Sequence, residues 1–168
     1  MDGLLLTVPV IEPDVAKSDL PAHQVLVDNR DFIAALESDE QDVRNFFVVQ
    51  SRELLEEFRS VIKPALAAAD PELIARIRAN SAFSFDVDAL SGPFPAPTLI
   101  LTGRQDSECG YRDAWRILEN YPRGTFAVLD RAGHLLSWEQ RALFRAMVSE
   151  WLDRVEEYAL EHSHEPAL

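Results

Sequence analysis

Residues 98–106 read TLILTGRQD, and residues 125–134 read TFAVLDRAGH. Each opens with a short apolar, β-branched run that a glycine or aspartate then closes, which is how a strand buried on both faces reads. Working outward, Tyr111 to Tyr121 forms a helical pattern ended by Pro122, and Ser137 to Tyr158 forms a longer one. The longer pattern carries Leu143, Phe144, Met147, Val148, Trp151, Leu152 and Val155 on one side. Upstream, Gly3 to Ile11 (GLLLTVPVI) is almost continuously apolar and predicts a further strand, with Pro9 near its end. Strands separated by helices imply an α/β fold with three parallel strands and right-handed crossovers. In such sheets chemistry collects beyond the carboxyl ends of the strands.

The stretch from Glu12 to Leu90 predicts helices rather than strands. A short helix is expected at Asp31–Leu36. Ser38-Asp39-Glu40-Gln41 reads as a capping box ahead of Val43, Phe46, Phe47 and Gln50. Glu53 to Ala69 places Leu54, Leu55, Phe58, Val61 and Ile62 on one side, and Pro64 should kink or end that helix. Asp70-Pro71-Glu72 sets an N-cap before a first-turn proline, with Leu73, Ile74 and Ile77 as the apolar stripe. Gly92 to Pro97 is a rigid lead-in to the next strand. The expected organisation is a partial α/β core at 1–11 and 91–160, a helical insertion at 12–90, and a frayed tail at 161–168.

Composition narrows the function. The 168 residues are 47% hydrophobic and 27% charged, which is globular usage. The net charge of −13, spread along the chain, would repel nucleic acid and reads as a solvated acidic surface. No apolar run approaches the roughly 20 residues of a membrane span, so no membrane role is expected. The N-terminus lacks the basic region and cleavage site of a signal peptide. A single cysteine, Cys109, excludes an internal disulfide, and a cytoplasmic location is expected.

The residues able to carry chemistry are Asp106 and His134. Alone, the first reads as a turn residue and the second as a loop histidine. Together they follow two consecutive strands, whose spacing in a parallel sheet is about 4.8 Å. Asp106 can then accept the Nδ1–H of His134, leaving Nε2 to take a proton from a nucleophile.

On these residues, ILTGRQD and LDRAGHLLSWEQ, each followed by a helix, resemble the last two strand–loop units of the α/β-hydrolase fold. The 28-residue gap between Asp106 and His134 is similar to that family's. The resemblance covers nearly the whole chain. It implies Asp106 as the acid and His134 as the general base of a catalytic triad. It also implies that Gly3–Ile11 is the sixth strand of that fold and that 12–90 is its cap. The family nucleophile stands in a G-x-S-x-G elbow. Two residues after the six glycines stand Leu5, Phe94, Gln105, Arg112, Phe126 and Leu135, so the elbow is absent, and with it the oxyanion hole.

Other polar residues do not replace it. Cys109 reads as a loop residue, because a neighbouring carboxylate works against a nucleophilic thiolate. Ser107 and Ser137 stand on no strand-to-helix elbow. His23 reads as a surface residue, and His162 with His164 is too sparse for a metal site. No cofactor and no metal are expected.

The resemblance implies hydrolysis of a small substrate, with an ester, thioester, lactone or C–C ketone-type bond as the candidates. Phe32, Phe46, Phe47, Phe83 and Phe85 favour an apolar one. Epoxide hydrolases of this fold use cap tyrosines, and none lies between Glu12 and Pro95, which argues against epoxides. The rival expectations are a non-catalytic remnant, or half of a split enzyme whose partner bears the nucleophile. A lone Gly3–Ile11 edge strand predicts an exposed apolar patch and self-association.

Overall fold

The computed structural model describes residues 1–80, 85–86 and 88–163. Among the described residues, three parallel strands, β1 (Leu4–Thr7), β2 (Thr98–Gly103) and β3 (Gly124–Leu129), lie in that order, so the protein is of the α/β class. Strand β2 is central and buried along its length. Alternation sends Leu99 and Leu101 to one face and Ile100 to the other. The first face packs on Ala132, Leu136, Phe144, Met147, Val148 and Trp151, and the second on Ala114, Ile117 and Tyr121.

Strand β1 is shorter than Gly3–Ile11. Val8 turns to a φ of 44°, a left-handed value that is rare for a β-branched residue and leaves the extended path. Its N–H still donates to the Leu101 carbonyl at 2.8 Å, and Pro9 has no N–H to continue the ladder.

Helix α5 (Tyr111–Arg116) ends in a 3-10 turn at Leu118–Asn120, ahead of Pro122. The expected single helix from Ser137 is two, α6 (Leu136–Glu139) and α7 (Arg141–His162). Gln140 breaks them with φ −121° and ψ 45°, and its side-chain Nε2 donates to the Arg131 carbonyl at 3.2 Å. The last turn of α7 runs into the expected frayed tail, where the His162 ring stacks on Tyr158. His164 and the rest of the tail lie outside the described residues, as does Phe83. Among the described residues, no helix is long and apolar enough to cross a membrane.

Between β1 and β2 lie α1 (Arg30–Ala35), α2 (Arg52–Glu57), α3 (Lys63–Ala68) and α4 (Pro71–Ala79). Asn29, Ser51 and Asp70 cap α1, α2 and α4 through their side-chain oxygens. The capping box at Ser38 does not form. Only a 3-10 turn follows, at Gln41–Asn45, where Gln41 donates its side-chain amide to the Glu37 carbonyl at 2.9 Å rather than closing the box. The buried carboxylate of the neighbouring Glu40 accepts from Arg59 at 2.6 Å, Lys63 at 3.0 Å and the Glu37 N–H at 3.0 Å. Pro64 neither ends nor sharply breaks its helix: a π turn at Phe58–Ile62 joins α2 to α3, widening the turn where the proline ring would meet the carbonyl four residues back. Phe32, Val43, Phe47, Leu54, Leu55 and Phe58 form the insertion's core. Phe47 meets Phe32, Phe46 and Phe58 edge to face. The expected stripe of α4 packs on nothing comparable, since Leu73, Ile74 and Ile77 are exposed.

Candidate catalytic dyad

The two loops beyond β2 and β3 touch because β2 ends in glycine. A Cβ at Gly103 would stand 2.5 Å from the carbonyl oxygens of Ala132 and Gly133. Gln105 then ties the loops together. Its N–H donates to the Ala132 carbonyl at 3.0 Å, its Oε1 accepts the Ala132 N–H at 3.2 Å, and its Nε2 donates to Asp130 at 2.9 Å. The sequence reading missed this clamp, since a loop glutamine carries no signal of its own.

Asp106 is fully buried. Its Oδ1 accepts the N–H groups of Glu108 at 2.8 Å and Cys109 at 3.0 Å, which fixes the carboxylate. Its Oδ2 faces His134 Nδ1 at 3.3 Å, so the two residues singled out in the sequence meet. The contact is long for a charged pair. His134 is 34% exposed. Its imidazolium is pushed up to about 10, first by the hydrogen bond to Asp106 and then by Cys109, with burial acting in the opposite direction. Cys109, read as a loop residue, lies within reach of both: its sulfur, an Asp106 oxygen and a His134 nitrogen are all within 4.8 Å of one another. His23 is exposed, yet it lines the same small cavity as His134. Ser107 also lines that cavity, on the loop and away from any elbow.

A second missed residue is Glu139. One oxygen accepts the N–H groups of Val48 at 2.6 Å and Val49 at 3.1 Å, and the other accepts Gly133 N–H at 2.6 Å. One carboxylate thus joins the helical insertion to the residue preceding His134. Burial raises its pKa, the three amides oppose this, and the charge of Asp106 adds to the rise. Leu135 and Trp138 pack against the insertion core, and Arg141 pairs with Glu57, so the histidine loop is held on the insertion side as well.

Fold and site together define an α/β protein with an acid–histidine pair at the carboxyl ends of adjacent parallel strands. No family model and no curated protein matches the chain. Among solved structures it is similar to an α/β superfamily hydrolase from Oenococcus oeni PSU-1, with a TM-score of 0.79 and 24% identity over 92% of this chain and 58% of that one. A thermophilic esterase from Thermogutta terrifontis (malate bound) is matched with a TM-score of 0.42 and 22% identity, over 92% of this chain and 56% of that one. The first likeness shows the fold: this is a protein of the α/β-hydrolase fold. The chain spans a little over half the length of the solved structures it matches.

Proposed function

We propose that the chain is the acid- and histidine-bearing C-terminal portion of an α/β hydrolase, with its nucleophile on a segment outside these residues. The observation that carries this reading is the buried, doubly anchored Asp106 facing Nδ1 of His134 from the neighbouring strand end. In the proposed reaction Nε2 takes the proton of the attacking nucleophile, and Asp106 stabilises the imidazolium that forms. His134 then hands that proton to the leaving group and activates water for the second half.

The ring must be neutral to start. With a pKa near 10 it is an imidazolium at neutral pH in this chain. A covering nucleophile segment would withdraw it further from water and bring that value down. The insertion at 12–90 would serve as the cap, since Glu139, Leu135 and Trp138 seat it beside His134. The substrate class that fits is a small apolar ester, thioester, lactone or C–C ketone-type compound, handled in the cytoplasm.

A second reading has its own observation. Strand β1 has no neighbour on its outer edge among the described residues, and Val61, Leu66, Leu73 and Ile77 are exposed. A remnant or split half with such surfaces would self-associate or bind the nucleophile-bearing polypeptide. A clean monomer on gel filtration that binds no hydrophobic dye would defeat this second reading.

The hydrolase reading is tested by reading the DNA upstream of the Met1 codon and expressing the longest continuous frame. A frame containing a G-x-S-x-G elbow, and hydrolysis of short-chain p-nitrophenyl esters by its product, are expected. The absence of any such frame, together with no gain of hydrolysis on adding candidate partner halves, would overturn it.

A further inference from the structure

Cys109 is the reactive group that the proposed hydrolysis does not use. It is 5% exposed and stands on the turn that anchors Asp106, its own N–H bonded to Asp106 Oδ1. That bond fixes the start of the side chain, and the sulfur comes within 4.8 Å of the Asp106 and His134 donor atoms. The three donors come from two loops that Gly103 and Gln105 hold in contact, so they are preassembled. Beside them is a cavity of about 20 Å³ lined by His23, Gln105, Asp106, Glu108 and His134. That is room for roughly one water.

We propose that Asp106, Cys109 and His134 form a site for a thiophilic divalent cation, zinc above all, with a water as the fourth ligand. One sulfur, one imidazole and one carboxylate plus an open position is a donor set that zinc accepts in tetrahedral geometry. Sulfur and nitrogen disfavour magnesium and calcium, which take oxygen ligands. Charge also balances. A thiolate and a carboxylate together neutralise a dication, so the buried site carries no net charge. Binding transfers no electrons. The thiol releases its proton, the imidazolium releases the proton on the nitrogen that ligates, and both protons go to solvent. The acidic cluster of Glu37, Asp39 and Glu40 is not a rival, because Lys63 reaches all three and Arg59 is bonded to Glu40.

The site stands without the hydrolase reading; its consequence rests on that reading. A cation held by His134 removes the base from proton transfer, so the same three residues become a metal-operated off switch.

The test is titration of the metal-free chain with zinc, magnesium and cobalt, using calorimetry and absorption. One equivalent of zinc should bind with a Kd of roughly 1 μM or tighter, magnesium should not bind, and cobalt should show a thiolate charge-transfer band. Cys109→Ser and His134→Gln should each weaken zinc at least about tenfold. If a variant fails to fold, the cobalt band of the unaltered chain decides. Absence of zinc binding, or zinc binding without a sulfur band, would overturn the site. Inhibition of the longer frame's ester hydrolysis by zinc, reversed by chelator, is expected as well. Binding without inhibition would overturn only the switch, and loss of the hydrolase reading would leave the binding result standing.

Discussion

Strand β2 pairs with β3 along its whole length, from Thr98 to Gly103, and with β1 only from Thr98 to Leu101. On the β3 side every loop group with a part in the site is held: Asp106 by two amides, the two loops by Gln105, and the insertion by Glu139. Strand β1, by contrast, is half-exposed throughout, and the π turn and helices α3 and α4 leave Val61, Leu66, Leu73 and Ile77 in solvent. The acid–histidine pair is therefore built by this chain's own packing, whereas the outer edge of β1 has no strand beside it among the described residues. Substitutions at the first side should be costly, and those at the second nearly silent.

The sharpest contrast is expected at Glu139. Glu139→Ala leaves the N–H groups of Val48, Val49 and Gly133 without their acceptor, and each orphaned amide costs about 1–3 kcal/mol. Hydrogen exchange at those three amides should accelerate together, and denaturant midpoints should fall. Unchanged exchange would show that the insertion is held by Leu135 and Trp138 alone. The sign of the pH effect follows from the raised pKa of Glu139: its ionisation costs folding energy, so stability from this group is greatest below the ordinary value of 4.5 and declines as pH rises through the folded value. Gly103→Ala should come next, at about 1–3 kcal/mol, because its Cβ would press on backbone rather than on a movable side chain. Histidine NMR should then show His134 titrating closer to 6.5, as the loops part.

Glu40 gives a smaller and pH-bound effect. Arg59 first, with Lys63 and the Glu37 amide, lowers its pKa from 4.5 to about 2, while burial opposes them. Its contribution is complete above 4.5 and is lost as pH falls through about 2. Denaturation midpoints measured across that range should flatten in Glu40→Gln; an unchanged acid slope would place the acid sensitivity elsewhere. The smallest effect is expected at Ile77→Lys on α4, within about 0.5 kcal/mol. A loss several times larger, measured in the same way, would show that the exposed α4 face is covered in solution and would break the contrast between the two sides.

What the sequence made legible follows the range over which its signals act. The strands of TLILT and TFAVL, and the cap at Asp70, are written in neighbouring residues, and the structure has them. Asp106 and His134 could be paired because parallel strands set their spacing by rule. The ion pairs of Glu40 had no local signal because its partners, Arg59 and Lys63, are distant in the chain. Glu139 and Gln105 had no local signal either, since most of their partners are backbone amides and carbonyls that no side-chain pattern announces. Cys109 was judged beside Asp106 alone, whereas in the fold it also meets His134.

The most direct test of the central claim is ester hydrolysis by the chain alone, by the longest frame continuous with it, and by that frame carrying His134→Ala. The account predicts no hydrolysis by the chain alone, hydrolysis by the longer product, and a loss of several powers of ten in kcat on removing His134. A longer product whose hydrolysis falls by less than about tenfold in His134→Ala would contradict it, and the pair at the strand ends would then be structural.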